Sequence, residues 1–128
     1  MKIKKRKDYS NRDKSSLDFG GQDFSKGIFY KTNFNNSNLH GCNLSGARLE
    51  AASFVNADLR EANLTGADLT GANLAGANLT GAVLRSTILK GANFGNANLT
   101  DADFSNSSYQ RAKNLDKAIN FKEPTYGK

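Results

Sequence analysis

Large apolar residues recur at every fifth position through most of the chain. From Phe19 to Tyr109, all 19 positions in this register are Leu, Phe or Tyr. Two places before each of them, the residue is mostly small, and Ala fills eleven of these places. The other three positions are mainly Asn, Asp, Ser, Thr, Gly or charged, as in the segment 62–81, ANLTGADLTGANLAGANLTG. No insertion breaks the register between Leu17 and Arg111.

Each five-residue word can be numbered on the example ANLTG: a small first position, a polar second, a large third, a variable fourth and a corner fifth. The small and large residues are two apart, and alternate side chains of an extended backbone share one face. Gly occupies the corner in eight of the 19 words, and Gly and Asn adopt positive φ at little cost. A corner in every word predicts an all-β solenoid of square section. Four words would complete one circuit, so the chain would form just under five coils.

Two other structures compete with the solenoid. An amphipathic helix needs apolar residues at i, i+3, i+4 and i+7, and a five-residue step spreads them around the cylinder instead. Disordered low-complexity sequence lacks regularly recurring large apolar residues. The uninterrupted register therefore favours the solenoid.

The words A-N-L-T-G and A-D-L-T-G resemble the motif A-(D/N)-L-x-x of the pentapeptide repeat family. The resemblance covers residues 17–111, about three quarters of the chain. It implies a right-handed quadrilateral β-helix. Some proteins that resemble this one pair through their C-terminal end, so the resemblance also allows a homodimer here.

The two ends of the chain depart from the repeat. Residues 1–16 are expected to form a basic, flexible arm, residues 17–111 the β-helix and residues 112–128 a cap and tail. Asn114 falls where an apolar residue is due, and Leu115 comes one residue late. Leu115, Ala118 and Ile119 then follow helical spacing, with Asn114 as a potential N-cap. The sequence predicts a short capping helix over 114–121.

The net charge of +6 is concentrated at the ends of the chain. Residues 1–16 carry seven basic and two acidic residues, whereas residues 17–111 carry seven basic and eight acidic residues. The N-terminal run contains no interleaved aromatic residue, so it either docks on nucleic acid or another acidic surface, or is a solubilising arm. Its basic residues are Lys2, Lys4, Lys5, Arg6 and Lys7.

The sequence suggests a cytoplasmic protein without a membrane span. The charged start is followed by no apolar run, so a secretory signal is not expected. No segment approaches 18 consecutive apolar residues. A single cysteine excludes an internal disulfide and is typical of a reducing compartment.

Catalytic chemistry is not expected. His40 should point outward and Cys42 inward, whereas a Cys–His nucleophilic pair needs both within hydrogen-bonding reach. No cluster of ligands for a metal is evident, and neither a metal nor a cofactor is predicted. The glycines recur as corners and not as a phosphate-binding loop.

A circuit of four words sorts the surface into walls. One wall collects uncharged residues such as Asn33, Asn36, Asn73 and Asn96. Another collects exposed apolar residues and mixed charge, and we call it the partner face. Interfaces favour aromatic residues and arginine near their centres. The partner face comprises Ile28, Tyr30, Lys31, Arg48, Glu50, Asp68, Ile88, Lys90 and Arg111.

Scattered surface apolar residues are normal, however, and an ion pair of Arg48 with Asp68 in the next coil would contribute little. The leading hypothesis is a non-enzymatic scaffold or adaptor that binds an unidentified protein through the partner face. The first alternative, a DNA-mimicking inhibitor of DNA gyrase or topoisomerase, is implied by the resemblance. It requires a dense negative surface, which the near-neutral body lacks. The second alternative is docking on nucleic acid or an acidic surface through the basic arm.

Overall fold

Residues 6–125 are described by a computed structural model, in which the backbone forms a stacked solenoid. Isolated parallel bridges join residues 20 apart along the whole length, such as Asn63 with Val83 and Ser53 with Asn73. The bridges form four ladders, one for each word of a circuit. The second positions of the words make up these ladders, beginning at Asp8, Asp13, Asp18 and Asp23.

Three backbone hydrogen bonds per word hold neighbouring coils together, and one of them joins the corner N–H of Gly66 to the carbonyl of Arg85 at 2.9 Å. The N–H of Leu64 donates to the carbonyl of Val83 at 2.7 Å, and the N–H of Val83 donates to the carbonyl of Ala62 at 2.9 Å. The chain then turns, closed by a bond from Ala67 N–H to Leu64 O at 2.9 Å. Because each wall is so short, the pairing consists of single bridges and not of continuous strands.

The interior contains the large and small residues of the words, as predicted. Leu64, Leu69, Leu74 and Leu79 are fully buried. Every Ala of the small column from Ala47 to Ala97 is also buried. Large apolar side chains taken out of water supply the main driving force for folding, at about 1.5–3 kcal/mol each. The fifth-residue register therefore defines the core.

The predicted corners are present at the fifth positions. All eight corner glycines have positive φ, from 65° at Gly46 to 72° at Gly21. Corner residues such as Lys31 and Ala51 adopt the same conformation, with φ of 56° and 58°. Where the second position is Asn or Asp, its side chain reinforces the turn by accepting a hydrogen bond from the N–H two residues on, as Asn63 does from Thr65. This is the Asx-turn geometry that these residue types favour.

The coils begin earlier than the sequence register suggested. Asp8 bridges Ile28 and Asp13 bridges Asn33, so residues 8–16, expected in a flexible arm, lie in the first coil. Tyr9 packs in the large position, stacked on Phe29 with ring centroids 5.1 Å apart. The polar residue Lys14 occupies the next large position. Because it breaks the apolar pattern, the sequence pattern did not indicate that residues 8–16 belong to the repeat.

The C-terminal capping helix predicted over 114–121 is shorter in the structure and is of the 3₁₀ type. The structure has two short 3₁₀ helices, Tyr109–Arg111 and Leu115–Lys117. Asn114 is left-handed, with φ of 64°, and its side chain makes no capping hydrogen bond. Ile119 bridges Asn98, one place beyond the regular four-word spacing, so an extra residue is accommodated before the ladder resumes. Phe121 then packs edge-on against Phe104, with centroids 5.2 Å apart.

Candidate partner-binding face

The partner face is built on one ladder of the solenoid. Ile28 bridges Arg48, Arg48 bridges Asp68, and Asp68 bridges Ile88. Tyr30, Lys31, Glu50 and Lys90 lie two or three residues after these ladder positions, and Arg111 lies one circuit beyond Ile88, three residues after Ser108. The four-word circuit therefore brings together side chains that are widely separated along the sequence.

The apolar members of this face are accessible. Ile88 is 49% exposed and Tyr30 is 43% exposed, whereas Ile28 is half-buried. The off-register valines on other walls, Val55 and Val83, are half-buried as well. Large exposed apolar side chains thus occur at two levels of the partner face.

The charges of this face do not pair as expected. The Arg48 guanidinium donates to both carboxylate oxygens of Glu50 in the same coil, at 2.7 Å from Nη2 to Oε2. This bond raises the pKa of Arg48 above its ordinary value. Asp68, proposed as the partner of Arg48 in the next coil, instead accepts hydrogen bonds from the N–H and Oγ1 of Thr70.

The cations Lys31, Lys90 and Arg111 are exposed. Within residues 6–125, none of them lies within ion-pairing distance of a carboxylate. Lys31 lies beside the Tyr30 ring, with Nζ 5.2 Å from the centroid. The face therefore presents positive charge next to its two exposed apolar side chains.

The ladder changes its hydrogen bonding beside Ile88. At Leu89 the N–H donates to the side-chain Oγ of Ser108 at 2.8 Å, instead of to a backbone carbonyl of the next coil. Here the chain enters the 3₁₀ helix Tyr109–Arg111. A shallow cavity of about 570 Å³ lies at this point and includes Ile88, Lys90 and Arg111 in its lining. No sequence pattern signals this cavity, because it arises from a local change of backbone pairing.

The basic arm is described only in part. Lys2, Lys4 and Lys5 lie outside the described residues. Arg6 and Lys7 are exposed; Arg6 Nη2 donates to the Gly46 carbonyl at 2.9 Å, and the Lys7 carbonyl accepts from the N–H of Ile28. These two residues of the basic run are thus bound to the first coils.

The candidate catalytic pair is separated by the wall. His40 is exposed, while Cys42 is fully buried and its Sγ donates to the Phe19 carbonyl. Burial raises the pKa of the Cys42 thiol. Across residues 6–125, no group of three or more His, Cys, Asp or Glu side chains could hold a metal ion. In the same part of the chain, no helix is long and apolar enough to cross a membrane.

The C-terminal end also exposes apolar surface. Ile119 is 50% exposed, and a cavity of about 730 Å³ is lined by Leu115, Ala118 and Phe121 among others. A homodimer through this end stays a prediction.

A coiled backbone with a four-word circuit, built from A-(D/N)-L-x-x words, defines a pentapeptide-repeat solenoid. The family described as pentapeptide repeats matches residues 42–81 and 77–108, in eight copies. The chain belongs to the pentapeptide repeat family. No curated protein matches the chain.

Solved structures of this family are similar to the chain. A pentapeptide repeat protein from the thylakoid lumen of Arabidopsis thaliana is 28% identical, with a TM-score of 0.52, over 86% of this chain and 72% of that one. QnrB1, a plasmid-mediated fluoroquinolone resistance protein, is 18% identical with a TM-score of 0.46, over 78% of this chain and 69% of that one. HetL of Nostoc, involved in heterocyst differentiation regulation, is 18% identical with a TM-score of 0.33, over 88% of this chain and 89% of that one.

Proposed function

We propose that this protein is a non-enzymatic scaffold that binds a protein partner through the partner face. The exposure of Ile88 and Tyr30 on one wall, next to unpaired cations, carries the proposal. Protein interfaces combine apolar anchors with a polar rim, and aromatic residues and arginine are enriched among their hot spots. The partner face offers this combination within a few levels of the solenoid.

The chemistry of the face indicates what kind of partner would fit. Lys90 and Arg111 flank the shallow cavity beside Ile88. An apolar side chain of the partner would pack against Ile88, and neighbouring carboxylates would pair with the two cations. We therefore propose that the partner presents an acidic segment that includes an apolar anchor.

The wall of Asn33, Asn73 and Asn93 offers less for binding. The side-chain oxygens of these asparagines accept from the N–H two residues on and so stabilise their own turns. Asn93 also donates weakly to Asn73 at 3.4 Å. Because these polar groups already bond within the solenoid, this wall is best explained as structural.

The DNA-mimic hypothesis receives less support. Three carboxylates of the outer surface lie close to arginines: Glu50 to Arg48, Asp58 to Arg60 and Asp103 to Arg85. Each pair reduces the negative potential that mimicry of a polyanion requires.

We also infer that the solenoid has the right-handed quadrilateral form implied by its family.

Affinity capture from the native cell, followed by mass spectrometry, tests the proposal. Ile88→Asp is compared with Val83→Asp, because both introduce aspartate at the second position of a word, where Asp68 and Asp103 already occur. Tyr30→Ser adds a second probe at a position that is commonly Ser or Thr. We expect a specific partner to be lost from Ile88→Asp and Tyr30→Ser, and retained by Val83→Asp. Equal capture by wild type and all three variants would overturn the proposal.

A further inference from the structure

Within residues 6–125 the first coil is the outermost one, and no preceding coil packs on its inward-register side chains. Phe19 and Phe24 are half-buried, and Leu17 is 48% exposed although it occupies a small inward position. Two neighbouring inward positions carry cations, Arg12 and Lys14, instead of small or apolar residues. We call this surface the N-terminal end plate, formed by Tyr9, Arg12, Lys14, Leu17, Phe19 and Phe24.

The cations of the end plate lie on its aromatic rings. Lys14 Nζ is 4.9 Å from the centroid of Tyr9 and 5.8 Å from that of Phe19. Arg12 Cζ is 5.9 Å from the centroid of Tyr9. Tyr9 in turn stacks on the buried Phe29, with rings inclined by only 13°. One face of the Tyr9 ring is therefore held by the core, and the other is reached by cations from the outside.

More positive charge borders the plate. Arg6, Lys7 and Lys26 line a cavity of about 610 Å³ together with Tyr9, Phe24 and one carboxylate, Asp23. The acidic residues of the first coil occupy the second positions of the words, on the side walls. Their Oδ1 atoms each accept a hydrogen bond from the N–H two residues on: Asp8, Asp13, Asp18 and Asp23. The end plate thus carries two cations and no anion.

The backbone edge of the plate also favours an acceptor ligand. In the second coil, the N–H groups of Asn33 and Asn38 donate to Arg12 O and Leu17 O. The equivalent N–H groups of Asp13 and Asp18 have no coil beneath them in the described part of the chain. Unpaired backbone groups are costly in a lipid interior, so this edge suits an aqueous ligand whose oxygens accept hydrogen bonds.

We propose that the N-terminal end plate binds single-stranded nucleic acid. Bases would stack on Phe24 and on the outer face of Tyr9, from which they would displace the long Arg12 and Lys14 side chains. The displaced cations and the bordering ones would then pair with phosphates. Aromatic platforms beside a positive surface are the usual means of binding single strands. In a duplex the base faces are already stacked, so the rings would gain little from it. The basic run contains no interleaved aromatic residue, but Tyr9 and Phe24 line the same cavity as its described residues, Arg6 and Lys7.

This inference concerns a surface other than the partner face, so its failure would not affect the proposal for the partner face, and the reverse also holds. Fluorescence anisotropy with the full chain tests it, using labelled oligo(dT) of about 16 nucleotides, the upper site size of a typical single-strand-binding module. We expect Arg12→Gln/Lys14→Gln to weaken binding roughly tenfold or more and to reduce the salt slope by about 0.7 for each phosphate that is no longer neutralised. The control Lys90→Gln/Arg111→Gln removes the same charge from the partner face and should bind like wild type.

A second variant separates stacking from charge. Tyr9→Leu restores the usual large residue of the repeat, and its thermal unfolding confirms that it folds. We expect it to weaken oligo(dT) binding several-fold, since base stacking contributes about 1–3 kcal/mol, and to leave heparin binding unchanged. Three results would overturn the proposal: no binding of oligo(dT) at low salt, equal losses in the end-plate and control variants, or binding to phosphatidylserine vesicles without binding to oligo(dT).

Discussion

The hydroxyl of Ser37 donates a 2.6 Å hydrogen bond to the carbonyl of Lys14, which lies 23 residues earlier in the chain. The same Oγ accepts from the N–H of Leu17. Ser37 occupies a small inward position, where most words have Ala, and it is almost fully buried. Thr32 and Cys42 make equivalent bonds to Tyr9 O and Phe19 O. These three residues therefore join the second coil to the first.

Ser37→Ala should destabilise the protein by about 1–3 kcal/mol, because it removes the hydrogen-bonding partner of the Lys14 carbonyl and of the Leu17 N–H. Chemical denaturation of wild type and variant measures the change. The control is Ser45→Ala, which removes a hydroxyl bonded only to the Asn43 side chain of its own turn. A loss no larger for Ser37→Ala than for Ser45→Ala would show that this bond does not join the coils.

The stability of the protein should depend more on side-chain size at the small inward positions than on side-chain shape at the large inward positions. Ala67 and Leu64 are both fully buried in the same part of the core. Ala67→Leu forces extra volume between coils and should cost about 1–3 kcal/mol, whereas Leu64→Met nearly conserves volume and should cost less than about 1.5 kcal/mol. Thermal unfolding compares the two variants. Equal melting temperatures would contradict the role given to the Ala column.

One corner offers a matched pair of backbone substitutions. Ala51 and Gly71 are stacked one coil apart, with φ of 58° and 68°. No atom lies within 4 Å of a Cβ added at Gly71, so the cost of Gly71→Ala comes from its backbone conformation. Because left-handed φ is unfavourable for a residue with a Cβ, we expect Gly71→Ala to lower the free energy of unfolding by about 1 kcal/mol and Ala51→Gly to raise it slightly. A higher free energy of unfolding for Gly71→Ala, or a lower one for Ala51→Gly, in denaturant titrations would refute this explanation.

Acid should weaken the turns that aspartate closes. Hydrogen bonds from the Ser105 hydroxyl and N–H lower the pKa of Asp103 below its ordinary value of 3.8. A lowered pKa in the folded state contributes stability above the unfolded value, and this contribution is lost as the pH falls through the folded pKa. Asp103→Asn keeps an acceptor at this position, as Asn43 and Asn63 do elsewhere on the ladder. The variant should therefore lose less stability between pH 5 and pH 2 than wild type.

Denaturant titrations at a series of pH values measure this difference between wild type and Asp103→Asn. Parallel losses of stability in the two proteins would show that the Asp103 carboxylate adds nothing to its turn.

Much of this fold could be predicted because its determinants are local. The large residues, the small column and the corner glycines each define one position of a word, and the four-word circuit then places Ile28, Arg48, Asp68 and Ile88 on one wall. Residues 8–16 of the first coil were missed because Lys14 replaces a large apolar residue. A signal was nevertheless present: Asp followed two residues later by Ser at 8–10, 13–15 and 23–25, which closes Asx turns.

Other features depend on contacts that no local pattern records. The spacing of Leu115, Ala118 and Ile119 predicted a capping helix over 114–121, but the helix ends at Lys117 because the backbone of Ile119 pairs with the preceding coil. Arg48 pairs with Glu50 two residues away in its own coil, whereas Asp68 bonds Thr70. Tertiary pairing therefore decided the end of the helix, and side-chain conformation decided the partner of Arg48.

The four-word circuit underlies both the walls and the partner face, and disulfide trapping tests it directly. Cys42→Ser provides a background without thiols. In it, Asp68→Cys/Ile88→Cys joins two bridged positions, and adjacent parallel strands lie about 4.8 Å apart, within the range of a disulfide. The control, Asp68→Cys/Asn73→Cys, places cysteines one word apart on neighbouring walls. We predict rapid, nearly complete oxidation of the first pair and little of the second, measured by mass spectrometry after alkylation. Preferential oxidation of the pair that is closer in sequence would contradict the solenoid and the surfaces assigned to it.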